Sequence, residues 1–211
     1  MAILRHARSR TRALAVGILA SFIGATGSRA ETPQEATLPS VAWYAPFYSG
    51  GGYCSEAIAF VQSLDRIGAS VQIVQHGDGY SHEFVSGLPR ETAEMLYRME
   101  ANSVGQSWGW SQRGKKRGGE AKDQVVAVCH SEPGAWHPPR WPTARCPPAR
   151  VDFTVGRTMF ETDRLPDGWP ERLNGMDQIW VPTEFSRGIF EASGVPASRL
   201  RVIGEPVDVD F

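Results

Sequence analysis

Residues 151–185, VDFTVGRTMFETDRLPDGWPERLNGMDQIWVPTEF, hold two strand patterns, a charged turn and two helix starts in one continuous run. Val151, Phe153 and Val155 alternate with Asp152, Thr154 and Gly156, the period of a strand, and the apolar pair Met159 and Phe160 follows at once. Glu161, Thr162, Asp163 and Arg164 then form a polar turn closed by Pro166, at the place where an open α/β sheet presents its strand ends to a ligand. A short helix over residues 169–176 leads to a second strand over 178–181. There Ile179, Trp180 and Val181 make the near-continuous apolar run of a buried parallel strand. Thr183 is placed to cap a helix running to residue 192, with Glu184 in its first turn and Gly194 at its stop.

Working outward, residues 41–45, VAWYA, are a further apolar strand, and Pro46 to Gly52 make a glycine-rich turn into a helix over 53–67. Tyr53, Ala57, Phe60, Val61, Leu64 and Ile67 share one face of that helix, while Ser55, Glu56, Gln62 and Asp65 are expected elsewhere. Gly68 stops it, and residues 71–74 complete a strand–helix–strand unit whose crossover should be right-handed. A helix over 90–102, a buried strand over 124–129, a proline-rich loop over 134–150 and a last strand over 200–203 follow. The expected fold is α/β: a Rossmann-like open, mostly parallel sheet with helices on both faces.

Three groups could carry chemistry. Gly50, Gly51 and Gly52 precede a helix, where bare backbone N–H groups and the helix dipole can face an anion; a tight turn is the plainer reading. His130 and Glu132 arrive at a strand end, where a histidine and a carboxylate can orient a hydroxyl or move its proton. A loop histidine bonded to backbone is the alternative. Glu161, Asp163 and Arg164 read equally as a hydroxyl-binding turn or as one held together by Arg164. The G-x-G-x-x-S spacing of Gly50, Gly52 and Ser55 approaches a dinucleotide fingerprint, but Gln75 and His76 stand where the ribose-binding acid belongs, and Asp78 comes only later. His130, Glu132 and His137 match no strong zinc spacing, so no metal is expected. His76 to Gly79 reads as a polar turn. Arg113, Lys115, Lys116 and Arg117 read as a solvated loop, or as a grip on an acidic acceptor. Trp136 and Trp141 read as loop anchors more readily than as sugar-stacking faces.

Residues 1–30 carry five arginines and no acid around a short apolar run, ending Ser28-Arg29-Ala30. This pattern predicts a secretory signal peptide, with an organelle transit peptide as competitor and membrane attachment only if the leader is retained. Residues 31–40 form a tether. Without the leader, 17 basic side chains face 23 acidic ones, a net charge near −6 that argues against nucleic acid as a partner. Three cysteines imply no complete disulfide framework. Buried thiols are the favoured reading, with a Cys129–Cys146 bridge the alternative in an oxidising lumen.

The words TMFETDRLP, WPERLNGMDQIWVPTEFSRGIFEASGV and VIGEPVD resemble the N-terminal half of glycosyltransferases of the group 1, family 4-like class, which have the GT-B fold. The resemblance spans residue 41 to the end and is strongest over 156–208. It implies the acceptor-side domain, residues 41–211, of a retaining, metal-independent glycosyltransferase that moves a sugar from a nucleotide-sugar co-substrate to a hydroxyl of a glycan or small-molecule acceptor. Gly50, Gly51 and Gly52 would face the donor phosphates, His130 and Glu132 would be catalytic, and Glu161, Asp163 and Arg164 would hold the acceptor. Two departures stand out: Ser131 interrupts a His-Glu-Pro element, and Arg157 takes a position often aromatic in the class. The donor-binding C-terminal domain is expected to be absent, which leaves a fragment or a truncated, non-catalytic carbohydrate-binding module.

Overall fold

The computed structural model describes residues 38–106 and 124–207. The leader, most of the tether, the basic run Arg113 to Arg117 and Asp208 lie outside the described residues. Six strands, β1 (Ser40–Ala45), β2 (Val71–Gln75), β3 (Val125–His130), β4 (Phe153–Arg157), β5 (Gln178–Val181) and β6 (Leu200–Val202), form one sheet in the order β2-β1-β3-β4-β5-β6. All five pairings are parallel. Helices α1 (Gly52–Arg66), α2 (His82–Ser86), α3 (Arg90–Gln106), α4 (Trp169–Leu173) and α5 (Glu184–Ala192) connect them. The fold is the expected α/β one, a Rossmann-like open sheet. Strand β1 is flanked by β2 on one side and β3 on the other, so the order reverses between β1 and β3 and opens a crevice beyond their carboxyl ends.

Alternation along the strands splits the core in two. Val126 and Val128 of β3, with Trp43 of β1 and Trp180 of β5, pack with Ala57, Phe60, Val61 and Leu64 of α1 and Met95, Leu96 and Met99 of α3. Cys129, Ile179 and Val181 point the other way, onto Trp169 and Leu173 of α4 and Ile189 and Phe190 of α5. Side chains two apart share a face, so both faces of the sheet are covered.

Thr183 caps α5 as expected, its hydroxyl accepting the Ser186 N–H at 3.0 Å. Several boundaries differ from the sequence reading. Strand β4 starts at Phe153; Asp152 just before it donates its N–H to the Val125 carbonyl at 3.0 Å and accepts the Val125 N–H on its carboxylate at 2.9 Å, holding the entry to β3. Helix α4 ends at Leu173, where Asn174 and Gly175 turn the chain back onto Pro170 and Arg172 carbonyls. Helix α2 has no strong apolar period and was not expected; the Ser81 hydroxyl caps it through the Phe84 N–H.

The cysteine reading is corrected. Cys129 and Cys146 are joined in a disulfide, with Cα atoms 5.8 Å apart, because the proline-rich loop folds back beneath β3. Cys54 alone of the three is a buried thiol, donating to the Phe47 carbonyl at 3.1 Å. Trp136 anchors the loop: its ring lies over Gly156, where an added Cβ would meet the Trp136 ring at 2.4 Å and Ile179 at 3.0 Å.

Gly156→Ala is therefore expected to overpack this contact and lower the unfolding free energy by about 1–3 kcal/mol. Gly188→Ala, on an exposed stretch of α5 with open space around it, should raise it by about 0.5–1 kcal/mol. Denaturant unfolding of the two variants should show opposite signs.

Candidate functional site

The carboxyl edge of the sheet carries a cleft of about 510 Å³, lined by Gly52, Tyr53, Glu132, Arg140, Met159, Phe160, Glu161, Pro166 and Trp169. Three loop regions build it. The first is the β1–α1 turn, where Gly50 has φ +80° and lies so close to Phe84 that a Cβ would approach the ring to 3.0 Å. Gly51 is the N-cap of α1 and offers no side-chain bond, so the first N–H groups of the helix lack a local acceptor where Gly52 and Tyr53 enter the cleft wall. The Tyr53 hydroxyl donates to the Met159 carbonyl at 3.1 Å, accepts the Met159 N–H at 3.3 Å and lies 3.0 Å from the Thr158 hydroxyl, stapling α1 to the end of β4. Burial pushes its pKa up; the hydrogen bonds with Thr158 and Met159 offset part of this, and the Glu132 and Glu161 carboxylates add to the rise.

The second region follows β3. Glu132 is exposed in the cleft wall, and Arg140 reaches across to donate to the Asp167 carbonyl at 2.5 Å. The third follows β4, where the Phe160 ring leans on Trp169 with centroids 4.8 Å apart and Glu161 stands exposed beside them. Gly52, Glu132 and Glu161 thus share one rim, with Gly50 and Gly51 just before it.

His130 is placed differently from the sequence expectation. It is fully buried, behind the cleft rather than in its wall. The Trp43 indole, which can only donate, gives its N–H to His130 Nδ1 at 3.2 Å, so the ring is neutral and its Nε2–H donates to Glu56 Oε2 at 2.7 Å. The other Glu56 oxygen receives Nη2 of Arg157, whose Nη1 donates to the Ile203 carbonyl at 2.6 Å. The Arg157 guanidinium also lies 5.5 Å from the centre of the Phe60 ring. Burial pushes the His130 pKa down, outweighing the Glu56 carboxylate, and the Arg157 charge adds to the depression. For Glu56, burial alone would raise the pKa, but hydrogen bonds from His130 and Arg157 prevail and hold it below its ordinary value.

Glu56 was expected off the buried face of its helix, yet its side chain is 4 % exposed. A signal was present: Tyr53, Glu56 and Phe60 are spaced i, i+3, i+7, a helical stripe that includes the carboxylate. Arg157 likewise sits two residues after Val155 on a strand and is completely buried. Asp163 and Arg164 do not line the cleft. Their side chains are 87 % and 85 % exposed and 3.8 Å apart, a loose surface pair within the turn. His76 is buried and its Nδ1 lies 2.8 Å from the Ala144 carbonyl, which ties the turn after β2 to the proline-rich loop. Among the described residues no group of three His, Cys, Asp or Glu side chains is placed to hold a metal ion, and no helix is long and apolar enough to cross a membrane. No protein-family model, curated protein or solved structure matches the chain.

The buried network carries a pH dependence of known sign. His130 binds its proton less readily in the folded chain than at its ordinary value of 6.5, so the unfolded chain takes up the proton first and stability falls as pH drops below that value. Buried His76 is depressed in the same direction. Glu56, also depressed, adds a second loss below its ordinary 4.5. Denaturant unfolding across this range should show stability full at pH 7 and declining on acidification, with His130→Gln giving a shallower slope. Glu56→Gln should lower stability at pH 7 by about 3–5 kcal/mol, because it leaves Arg157 charged and buried without its counter-ion.

Proposed function

We propose that this domain is the acceptor-side lobe of a GT-B glycosyltransferase similar to the group 1, family 4-like class, binding a hydroxylated ring in the cleft while a nucleotide-sugar donor approaches the start of α1. The observation that carries the reading is the cleft itself. It opens at the carboxyl edge of a parallel sheet and sets two exposed carboxylates, Glu132 and Glu161, beside the aromatic pair Phe160 and Trp169. Carboxylates accept hydrogen bonds from sugar hydroxyls, and the half-buried Phe160 ring, backed by the buried Trp169, suits the apolar side of a pyranose. Gly51 and Gly52, with uncapped helix N–H groups, suit the donor phosphates.

In this reading Glu132 takes the catalytic place at the acceptor hydroxyl, orienting it or accepting its proton, and His130 positions the wall from behind through Glu56. The donor's remaining contacts would come from a second lobe. A nucleotide-sugar serves as co-substrate, and no other cofactor enters. The Cys129–Cys146 disulfide is consistent with a secretory destination, since such bridges persist in oxidising compartments. A binding-only module is the second reading, favoured by one observation: both His130 nitrogens are engaged away from the cleft.

A glycan and monosaccharide panel titrated calorimetrically, followed by Glu132→Gln and Phe160→Ala, tests the reading. Each substitution should weaken binding of the selected sugar by about tenfold, equivalent to roughly 1.4 kcal/mol. Absence of saccharide binding by the folded protein would overturn it. Binding together with sugar transfer from a nucleotide-sugar would favour the enzyme; binding alone, from a chain carrying its second lobe, would favour the module.

A further inference from the structure

We propose that the Cys129–Cys146 disulfide is a thiol–disulfide latch that holds the Arg140 side of the cleft in place, so that reduction releases one segment of the wall while the sheet stays folded. The latch belongs to the construction of the cleft, whichever ligand occupies it.

Both sulfurs are buried, Cys129 inside β3 and Cys146 at the far end of the proline-rich loop. The loop between them has two halves with different anchors. Its first half contains a 3₁₀ turn, Pro133–Ala135, and ends at Trp136, which is fully buried against Gly156. That half keeps its apolar anchor whatever the state of the sulfurs. The second half, residues 137–145, has no fully buried side chain; it is half-buried or exposed throughout. Its attachments are mainly polar: the Trp141 indole N–H donates to the Gly77 carbonyl at 3.1 Å, the Thr143 hydroxyl accepts the Gly77 N–H at 2.8 Å, the Ala144 carbonyl faces His76, the Pro138 carbonyl accepts from Arg172 at 2.8 Å and the Arg140 N–H donates to the Gly134 carbonyl at 2.8 Å, while the half-buried Trp141 ring adds one apolar contact with the core. Individual bonds of this kind exchange readily with water and contribute little alone. The bridge supplies the covalent end-point that keeps them together by restricting the chain. Arg140, the single cation among the described residues lining the cleft, belongs to this half.

The chemistry balances with an external dithiol as reductant. Its thiolate attacks one cystine sulfur and forms a mixed disulfide. Its second thiol then displaces the protein sulfur, leaving two protein thiols and the oxidised cyclic reagent. Two electrons and two protons pass to the protein. Free Cys54 is bonded to the Phe47 carbonyl and takes no part.

The test uses the folded chain with and without dithiothreitol, brief tryptic digestion and mass mapping of the cuts after Arg140 and Arg145, both exposed. Thiol alkylation of the denatured, non-reduced protein should find one free cysteine, rising to three after reduction. Cleavage at the two arginines should accelerate roughly tenfold or more on reduction, because proteolysis follows the population of the open segment. Cuts within the sheet, and the far-ultraviolet circular dichroism, should be unchanged. Cys146→Ala should mimic the reduced protein without dithiothreitol, and Cys54→Ser should leave the response intact. Three free thiols at the outset, equal cleavage in both states, or digestion of the whole sheet on reduction would each overturn the latch.

Discussion

One carboxylate, that of Glu56, ties the rim of the sheet together. It is carried by α1, receives His130 from the end of β3 and Arg157 from the end of β4, and through Arg157 is connected to the Ile203 carbonyl just after β6. A carboxylate and a guanidinium taken out of water are stable only as a pair with their remaining hydrogen-bonding capacity satisfied. The histidine stays neutral and lends a donor without adding charge. Such an arrangement tolerates few displacements: sliding α1 by one residue would turn Glu56 away and leave Arg157 charged in the core. The network therefore fixes where the first turn of α1 meets the ends of β3 and β4, which is where the cleft begins.

The boundary between interior and cleft runs within a residue or two along each strand exit. At the end of β3, His130 and Ser131 face inward and Glu132 outward. At the end of β4, Arg157 and Thr158 are buried, Met159 and Phe160 are half-buried and Glu161 is exposed. The Tyr53 hydroxyl, bonded to both sides of Met159, holds that transition in place. Residues that differ little in sequence position thus have unlike work: the inner ones hold the frame, and the outer ones present two carboxylates and the Phe160 ring to the cleft.

The proline-rich loop shows how an irregular segment is given a defined path without regular structure. Trp136 fills the notch that Gly156 leaves, Trp141 and Thr143 attach to Gly77, and Arg140 and Arg172 donate to carbonyls across the gap between this loop and the turn before α4. Most of these bonds satisfy backbone groups that a helix or strand would have satisfied locally. The loop's order is therefore borrowed from distant parts of the chain, and the cystine is its one covalent tie.

Periodicity alone determined the class of fold. The apolar runs VAWYA and QIWV, too uniform for one wet face, required strands covered on both sides, and the helical stripe from Tyr53 to Leu64 and the cap at Thr183 were legible because they depend on neighbours within a few residues. It also placed Gly50 to Gly52, Glu132 and Glu161 at strand exits, hence on one rim. What only the tertiary structure decided was which polar residues face inward. Glu56 is separated from His130 by 74 positions along the chain and from Arg157 by 101. A polar side chain is buried or exposed according to whether a complementary group arrives from elsewhere, and no local pattern records that arrival. For the same reason the pairing of Cys129 with Cys146 rests on the return of a loop through space, while the strands that frame it rest on the spacing of their own side chains.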